Sequence, residues 1–469
     1  MFTKIFILFF LFAATAGGQI ITNNLVADYQ AGAGYTLTEA GQVSQWSDQH
    51  NTLNNDGVTN NAVQSDPVLM PLATTDRWGD ACVLYPNGEV ISYTNPVAVG
   101  NALDIPATLT CHSRTSSVYA VCTGPYSHEA QCLLQFTNWA GSVFVGWRSN
   151  QGASEYWPMS PLTANLNDTN IFPPMNKAVF TVIGSPTATA WFWNTNKATG
   201  AALAAQAFTG AQIGGNLIGS YYGGQIYRLL IYRDSHSDAQ ALQVINALIA
   251  AHNVRTNYST VVVSRGESNT AGVNANRLKS WTWQLMERYP EVKWYNHGVG
   301  SSFISTNGTT GNVWYENDFT YVDLVYDSNA VSNLLFVRGN GNDLNTQGGS
   351  LPTFGRLTNY TAQRASRGWK VVVDTLGDGV NDVSNYNLMI RTNVVASWFG
   401  RVDSGAGSAV ETRLTDNANR TYFYADGTHY VNAGHSVIRD HFSRWLDGYL
   451  GYKTFGAATI TTGTLNLGP

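Results

Sequence analysis

Four short segments of this chain carry side chains that could together perform acyl transfer. The first is Val261-Val262-Val263-Ser264-Arg265-Gly266-Glu267-Ser268-Asn269-Thr270. Its β-branched run predicts a buried strand that stops at a turn. Ser268 then sits at a strand's carboxyl end, where open α/β sheets place their ligand crevice. A serine hydroxyl becomes a nucleophile only beside a base, and Asp426-Gly427-Thr428-His429 offers one. In that spacing a single loop presents an imidazole and a carboxylate able to fix its tautomer. In the third segment, an apolar run at 334–337 ends in Arg338-Gly339-Asn340-Gly341-Asn342. The Asn342 carboxamide could donate to a developing oxyanion without bringing a charge. The fourth, Trp294-Tyr295-Asn296-His297-Gly298-Val299-Gly300-Ser301-Ser302, is another strand end, whose small residues suit a backbone N–H exposed at Gly300 or Ser301.

From about residue 256 onward, strand-like runs at 260–263, 292–295, 333–337 and 369–374 alternate with helical stretches at 277–288, 358–367 and 386–398. Alternation of this kind predicts right-handed crossovers and a mostly parallel sheet with helices on both faces. Residues 19–255 read differently. Short apolar-aromatic runs such as 142–147, 178–183 and 189–193 are separated by Gly, Asn, Pro and Ser, the pattern of an antiparallel β-sandwich. One helix, N-capped by Ser237 and running through Leu248, closes that region.

Taken in order, the four chemical segments resemble the SGNH (GDSL-like) hydrolase family across nearly all of residues 256–453. The resemblance implies a three-layer αβα, flavodoxin-like catalytic domain and ester hydrolysis without a metal or other cofactor. Carried over residue by residue, it implies Ser268 as nucleophile and Asp426 and His429 as acid and base. The oxyanion hole would comprise the Ser268 N–H, that of Gly300 or Ser301, and the Asn342 side chain. The chain departs from the family pattern at Glu267, where Asp is usual, at Ser301 and at Asn340. In the first half, Leu25-Val26-Ala27-Asp28-Tyr29 with Val43-Ser44-Gln45-Trp46-Ser47-Asp48, and the stretch 224–233, resemble the opening and closing strands of concanavalin A-like (LamG-like) jelly rolls. Such domains imply carbohydrate binding and sometimes calcium, although aromatic side chains can equally fill the space between two sheets. The expected fold is therefore multidomain, an all-β jelly roll followed by an α/β hydrolase.

Composition sets the surroundings. A chain of 469 residues, 44% hydrophobic, is long enough for two cores. Only 12% of residues are charged and the net charge is −5, which gives no basic footprint for nucleic acid. Residues 1–18 hold Lys4, an apolar run and then small residues, the layout of a secretory signal peptide rather than a stable membrane span. The expected location is thus outside the cell or in the periplasm. Cys82, Cys111, Cys122 and Cys132 then suggest two disulfides. His297, His435 and His441 lack metal-ligand spacing and read as surface or packing residues. The acidic Gly-rich stretch 374–382 reads as a loop over the cleft, and the tail 454–469 as a linker or the start of a further segment. The expected activity is removal of O-acetyl or similar acyl groups from a glycan. The alternatives are a general short-chain esterase or lipase, or a lectin-like adhesion protein with a non-catalytic hydrolase domain.

Overall fold

The computed structural model describes residues 19–466 apart from 51–59, 68–69, 86–101, 106–108, 110, 113, 125–130, 137–143, 151–152, 159–173, 203–204, 206, 209, 215–221, 273–276, 299, 301, 305–321, 339–340, 347, 378, 380–381, 410, 453–458 and 462–463. The leader reading at 1–18 and the Ser301 assignment lie outside the described residues.

Among the described residues of the first half, two eight-stranded antiparallel sheets face one another. Between them lies one apolar core built from both, with Tyr29, Val83, Val118 and Ile231 from one sheet and Trp46, Leu103, Leu134 and Ile213 from the other. The central strand Gly224–Tyr232 is buried on both faces. Ile226, Leu229 and Ile231 point between the sheets, while Tyr227, Leu230 and Tyr232 point outward. The irregular step from Ile226 to Leu229 coincides with a bulge between Ile226 and Arg228, where one extra residue resets the alternation. Helix Asp238–Ala251 covers the outward face with Ala241, Val244, Ile245 and Leu248. It starts where the sequence indicated: Ser237 and Gln240 form a reciprocal capping box. Trp46, Trp191 and Trp193 are all packed within the core, so these aromatics serve as filling.

The two-disulfide expectation fails. Cys82, Cys111 and Cys122 are unpaired and buried. Cys111 and Cys122 face the core between the sheets and Cys82 the core beneath the helix, so they pack as small apolar side chains. Burial pushes the Cys82 and Cys111 thiols up to about 12, far from reactive.

The second half is built on a parallel sheet. Its five principal strands are Thr260–Gly266, Lys293–Gly298, Ser332–Val337, Lys370–Asp374 and Trp398–Val402. Counted in chain order they lie 2-1-3-4-5, so the winding reverses between the first and third strands. That reversal opens a crevice at their carboxyl ends. Alternate residues feed opposite cores. Val262, Leu334, Phe336 and Val372 pack with helices Trp281–Arg288 and Asn432–Leu450, while Val261, Val263, Leu335 and Val371 pack with Ser350–Ser366 and Val383–Thr392. This is a three-layer arrangement. Two expectations change here. The helical stretch read over 386–398 stops at Thr392, and Trp398 begins the fifth strand. The tail read as a linker instead adds Thr464–Asn466 beside that strand and Thr459–Thr461 beyond it.

The halves touch through main chain. Met175 N–H donates to the Trp294 carbonyl at 2.8 Å, and Trp294 N–H donates to Asn176 Oδ1 at 2.8 Å. The edge strand Lys293–Gly298 is thereby covered, which removes an open pairing edge. Among the described residues no helix is long and apolar enough to cross a membrane.

Candidate active site

Ser268 opens a short helix, Ser268–Ala271, directly after the central strand Thr260–Gly266. The chain can turn this sharply because the neighbouring strand ends are bare. A Cβ on Gly266 would lie 1.9 Å from the Arg338 carbonyl oxygen and 2.0 Å from Thr270 Oγ1, and one on Gly298 would lie 2.2 Å from the Ala271 nitrogen. Any larger residue at either position would push the turn off the sheet. Ser268 itself stays half-buried.

His429 reaches this turn from a chain position 161 residues away, with Nε2 2.9 Å from Ser268 Oγ. On its other side Nδ1 lies 2.7 Å from Asp426 Oδ2. The second carboxylate oxygen of Asp426 accepts the Thr428 and His429 N–H groups at 2.8 and 2.9 Å, so the carboxylate shapes the loop as well as facing the ring. Partial burial pushes the Asp426 carboxyl up, but the bonds from His429 and Thr428 outweigh it and leave it below its ordinary value. Its ionised form is therefore the stable one at neutral pH. The three side chains expected from the sequence thus meet in one line of contacts.

The oxyanion segments converge on the same strand ends. Gly266 pairs in register with Gly298, and Ser268 and Gly300 each lie two residues past that pair. Asn342 is in the short helix Gly341–Thr346. Its Nδ2 donates to the Ser302 carbonyl at 3.0 Å, and its backbone N–H donates to Glu267 Oε2 at 3.1 Å. A primary amide has two N–H donors, and the second makes no bond among the described residues. Glu267 is buried, and burial raises its pKa despite the Asn342 N–H and the nearby Arg338 and His429.

Under the crevice lies a group of charges with no motif in the sequence. Arg338 is fully buried and its Nε donates to Asp374 Oδ2 at 2.8 Å. The Ser404 hydroxyl donates to the same carboxylate oxygen at 2.6 Å. Arg338 Nη2 donates at 3.2 Å to the Tyr430 hydroxyl, one residue from His429, and its guanidinium lies 5.1 Å from the ring centre. Asp374, which opens the acidic stretch read as a cleft loop, is therefore a structural anion. His435 is buried nearby. Burial first, then the charges of Arg338 and His429, push it down to about 3, so it stays neutral and accepts the Trp281 N–H at 3.4 Å. Because a buried carboxylate left without its cation is strongly unfavourable, Arg338→Met is expected to lower the unfolding free energy by about 3–5 kcal/mol. The double change Arg338→Met with Asp374→Leu should recover part of it, as urea unfolding followed by circular dichroism would show.

No cluster of three His, Cys, Asp or Glu side chains able to hold a metal ion occurs among the described residues. His441 pairs with Glu411 Oε2 at 2.8 Å, away from the serine turn. Neither Arg338 nor Asn269 carries a signal in the sequence: each stands inside a segment chosen for another residue, Arg338 ahead of Asn342 and Asn269 beside Ser268. The carboxamide of Asn269 bonds to the backbone on both sides of His429.

No protein-family profile matches the chain, and no curated protein is similar to it in sequence. Solved structures are similar to parts of it. A psychrotrophic esterase from a Pseudoalteromonas species, inhibited by monoethylphosphonate, is 10% identical, covering 41% of this chain and 99% of its own, with a TM-score of 0.31. A member of the lipolytic G-D-S-L family from Veillonella parvula is 16% identical, covering 39% and 97%, with a TM-score of 0.31. Domain 4 of an extracellular arabinanase from Geobacillus stearothermophilus, in complex with arabinotriose, is 12% identical, covering 47% and 98%, with a TM-score of 0.29.

Proposed function

We propose that this protein is a serine ester hydrolase of the SGNH type, exported from the cell, that removes acetyl or similar acyl groups from a glycan. The observation that carries the reading is the unbroken contact line from Asp426 through His429 to Ser268, at 2.7 and 2.9 Å. Serine, imidazole and carboxylate in this sequence form a general-base relay to a nucleophile. The non-catalytic alternative needs a histidine held away from the serine, and the short contact speaks against it.

In the proposed reaction His429 Nε2 takes the Ser268 Oγ proton as Oγ bonds to the ester carbonyl carbon. Negative charge then gathers on the carbonyl oxygen. Donors for it are the Ser268 N–H, the N–H of Gly300 or Ser301, and the second N–H of Asn342 Nδ2. Collapse expels the alcohol, which leaves with the proton from His429. Water, deprotonated by the same imidazole, then attacks the acyl carbon, and the carboxylic acid departs as Ser268 regains its hydrogen.

We assign residues 256–453, with the tail strands that extend their sheet, to this catalytic unit and residues 19–255 to a concanavalin A-like jelly roll that carries the glycan preference. Support for the glycan comes from a cleft of about 590 Å³ where the halves meet, lined among others by Trp78, Tyr227, Tyr258, Arg77 and Glu287. Trp78 is 62% exposed there, an open aromatic face beside polar groups of the kind a sugar ring covers. The test is release of acetate from a panel of acetylated polysaccharides, set against release of fatty acid from lipid esters. Acetate from a glycan is expected. Fatty acid release alone would make the protein a lipase, and release of neither would remove the hydrolase reading.

A further inference from the structure

The four backbone groups around His429 are all hydrogen-bonded, and they divide into two pairs by where their partners lie. The His429 N–H goes to Asp426 Oδ1 at 2.9 Å, and the His429 carbonyl accepts the Tyr424 N–H at 2.8 Å. Both partners belong to the same loop, so these bonds fix the loop's shape and say nothing of where it stands. The other two groups face the serine turn. Asn269 Nδ2 donates to the Thr428 carbonyl at 3.2 Å, and Asn269 Oδ1 accepts the Tyr430 N–H at 3.1 Å. In an extended segment the carbonyl before a residue and the N–H after it point to the same side, and one carboxamide matches that spacing as a paired strand would. Asn269 is only 4% exposed and follows Ser268 directly.

We propose that Asn269 is a positioning residue that sets the reach of His429 to Ser268, one carboxamide clamping the peptide groups on either side of the histidine. The proposal rests on the hydrolase reading above. The Tyr430 hydroxyl also anchors the loop, taking N–H groups from Arg338 and from Gly377 at 3.1 Å. Those bonds tie it to the neighbouring strands, whereas Asn269 ties it to the nucleophile's own turn. A shift in the turn is thereby carried to the histidine. Proton transfer across a 2.9 Å contact is steep in distance, and a misplacement of about 1 Å can cost on the order of 10²-fold in rate.

The test compares wild type, Asn269→Ala and Asn269→Asp in ester hydrolysis and in the rate at which a phosphonate ester labels Ser268. Asn269→Ala is expected to lower kcat and the labelling rate together by about 10²-fold while KM changes little. Asn269→Asp keeps an acceptor for the Tyr430 N–H but loses the donor to Thr428, and should fall between the two. Wild-type kcat and labelling in both variants, with Ser268→Ala inactive, would overturn the clamp and leave the hydrolase reading standing. A rise in KM with kcat unchanged would also overturn it, because a clamp on the base acts on the chemical step. A wild-type protein whose ester hydrolysis does not depend on Ser268 would overturn both. Should the alanine variant not fold, Asn269→Asp decides by the same readouts.

Discussion

Replacing Ser268 by alanine is expected to lower kcat on a simple acetate ester by on the order of 10⁶-fold, with little change in the unfolding transition. The two halves of this expectation have separate grounds. The Ser268 hydroxyl has one hydrogen-bond partner among the described residues, His429 Nε2 at 2.9 Å, and the side chain is half-buried. Losing one such bond at a partly solvated site changes stability by about 0.5–1.5 kcal/mol. Catalysis is another matter, because without Oγ no acyl-enzyme can form and His429 has no proton to take. What remains under the proposed mechanism is the stabilisation of a developing oxyanion by Gly300 or Ser301, Asn342 and the turn's own N–H, which in comparable sites leaves about 10³–10⁴-fold over water. Purified variant and wild type assayed side by side on a chromogenic acetate decide the point. Residual activity within tenfold of wild type would mean that Ser268 is a structural turn residue and that the contact with His429 is incidental.

The parts of this site legible in the sequence are those whose chemistry and geometry are local. Asp426 and His429 lie three residues apart in one loop, and their 2.7 Å contact needs nothing beyond that loop. Ser268 and Asn342 were visible because each follows a β-branched or apolar run that can only be a buried strand, and the parallel order 2-1-3-4-5 sets those two strands side by side. The illegible parts are pairings across the fold. Glu267 meets Asn342 over 75 positions, Arg338 meets Asp374 over 36, and Asn269 meets Tyr430 over 161, all without a spacing rule. The fifth strand was hidden for another reason. Its apolar residues continue the pattern of the preceding helix, and only the extended backbone at Asn393 breaks it before Trp398. The cysteines misled because an even count suits disulfides equally well whether the side chains share a core or, like Cys82 and Cys122, lie in different ones.

Asp426→Asn should separate orientation from charge, and the expected loss is about 10⁴-fold in kcat with KM nearly unchanged. The carboxylate does two jobs at once. Oδ1 accepts the Thr428 and His429 N–H groups, and Oδ2 faces His429 Nδ1. An asparagine can satisfy the two backbone donors only by placing its carbonyl oxygen where Oδ1 now lies. Its NH₂ then points at Nδ1, which must become the acceptor. The imidazole proton moves to Nε2, so the ring offers Ser268 a donor where a base is needed, and general-base catalysis is lost although no atom has moved far. Because the loop's backbone bonds survive, folding should change little, which thermal unfolding can verify. The alternative is that Asp426 acts only as a distant negative charge on a half-exposed loop. Screening by water would then make its removal worth tenfold or less. A measured fall of three or more orders of magnitude therefore assigns Asp426 to the tautomer of His429, and a fall below tenfold assigns that task to some other group.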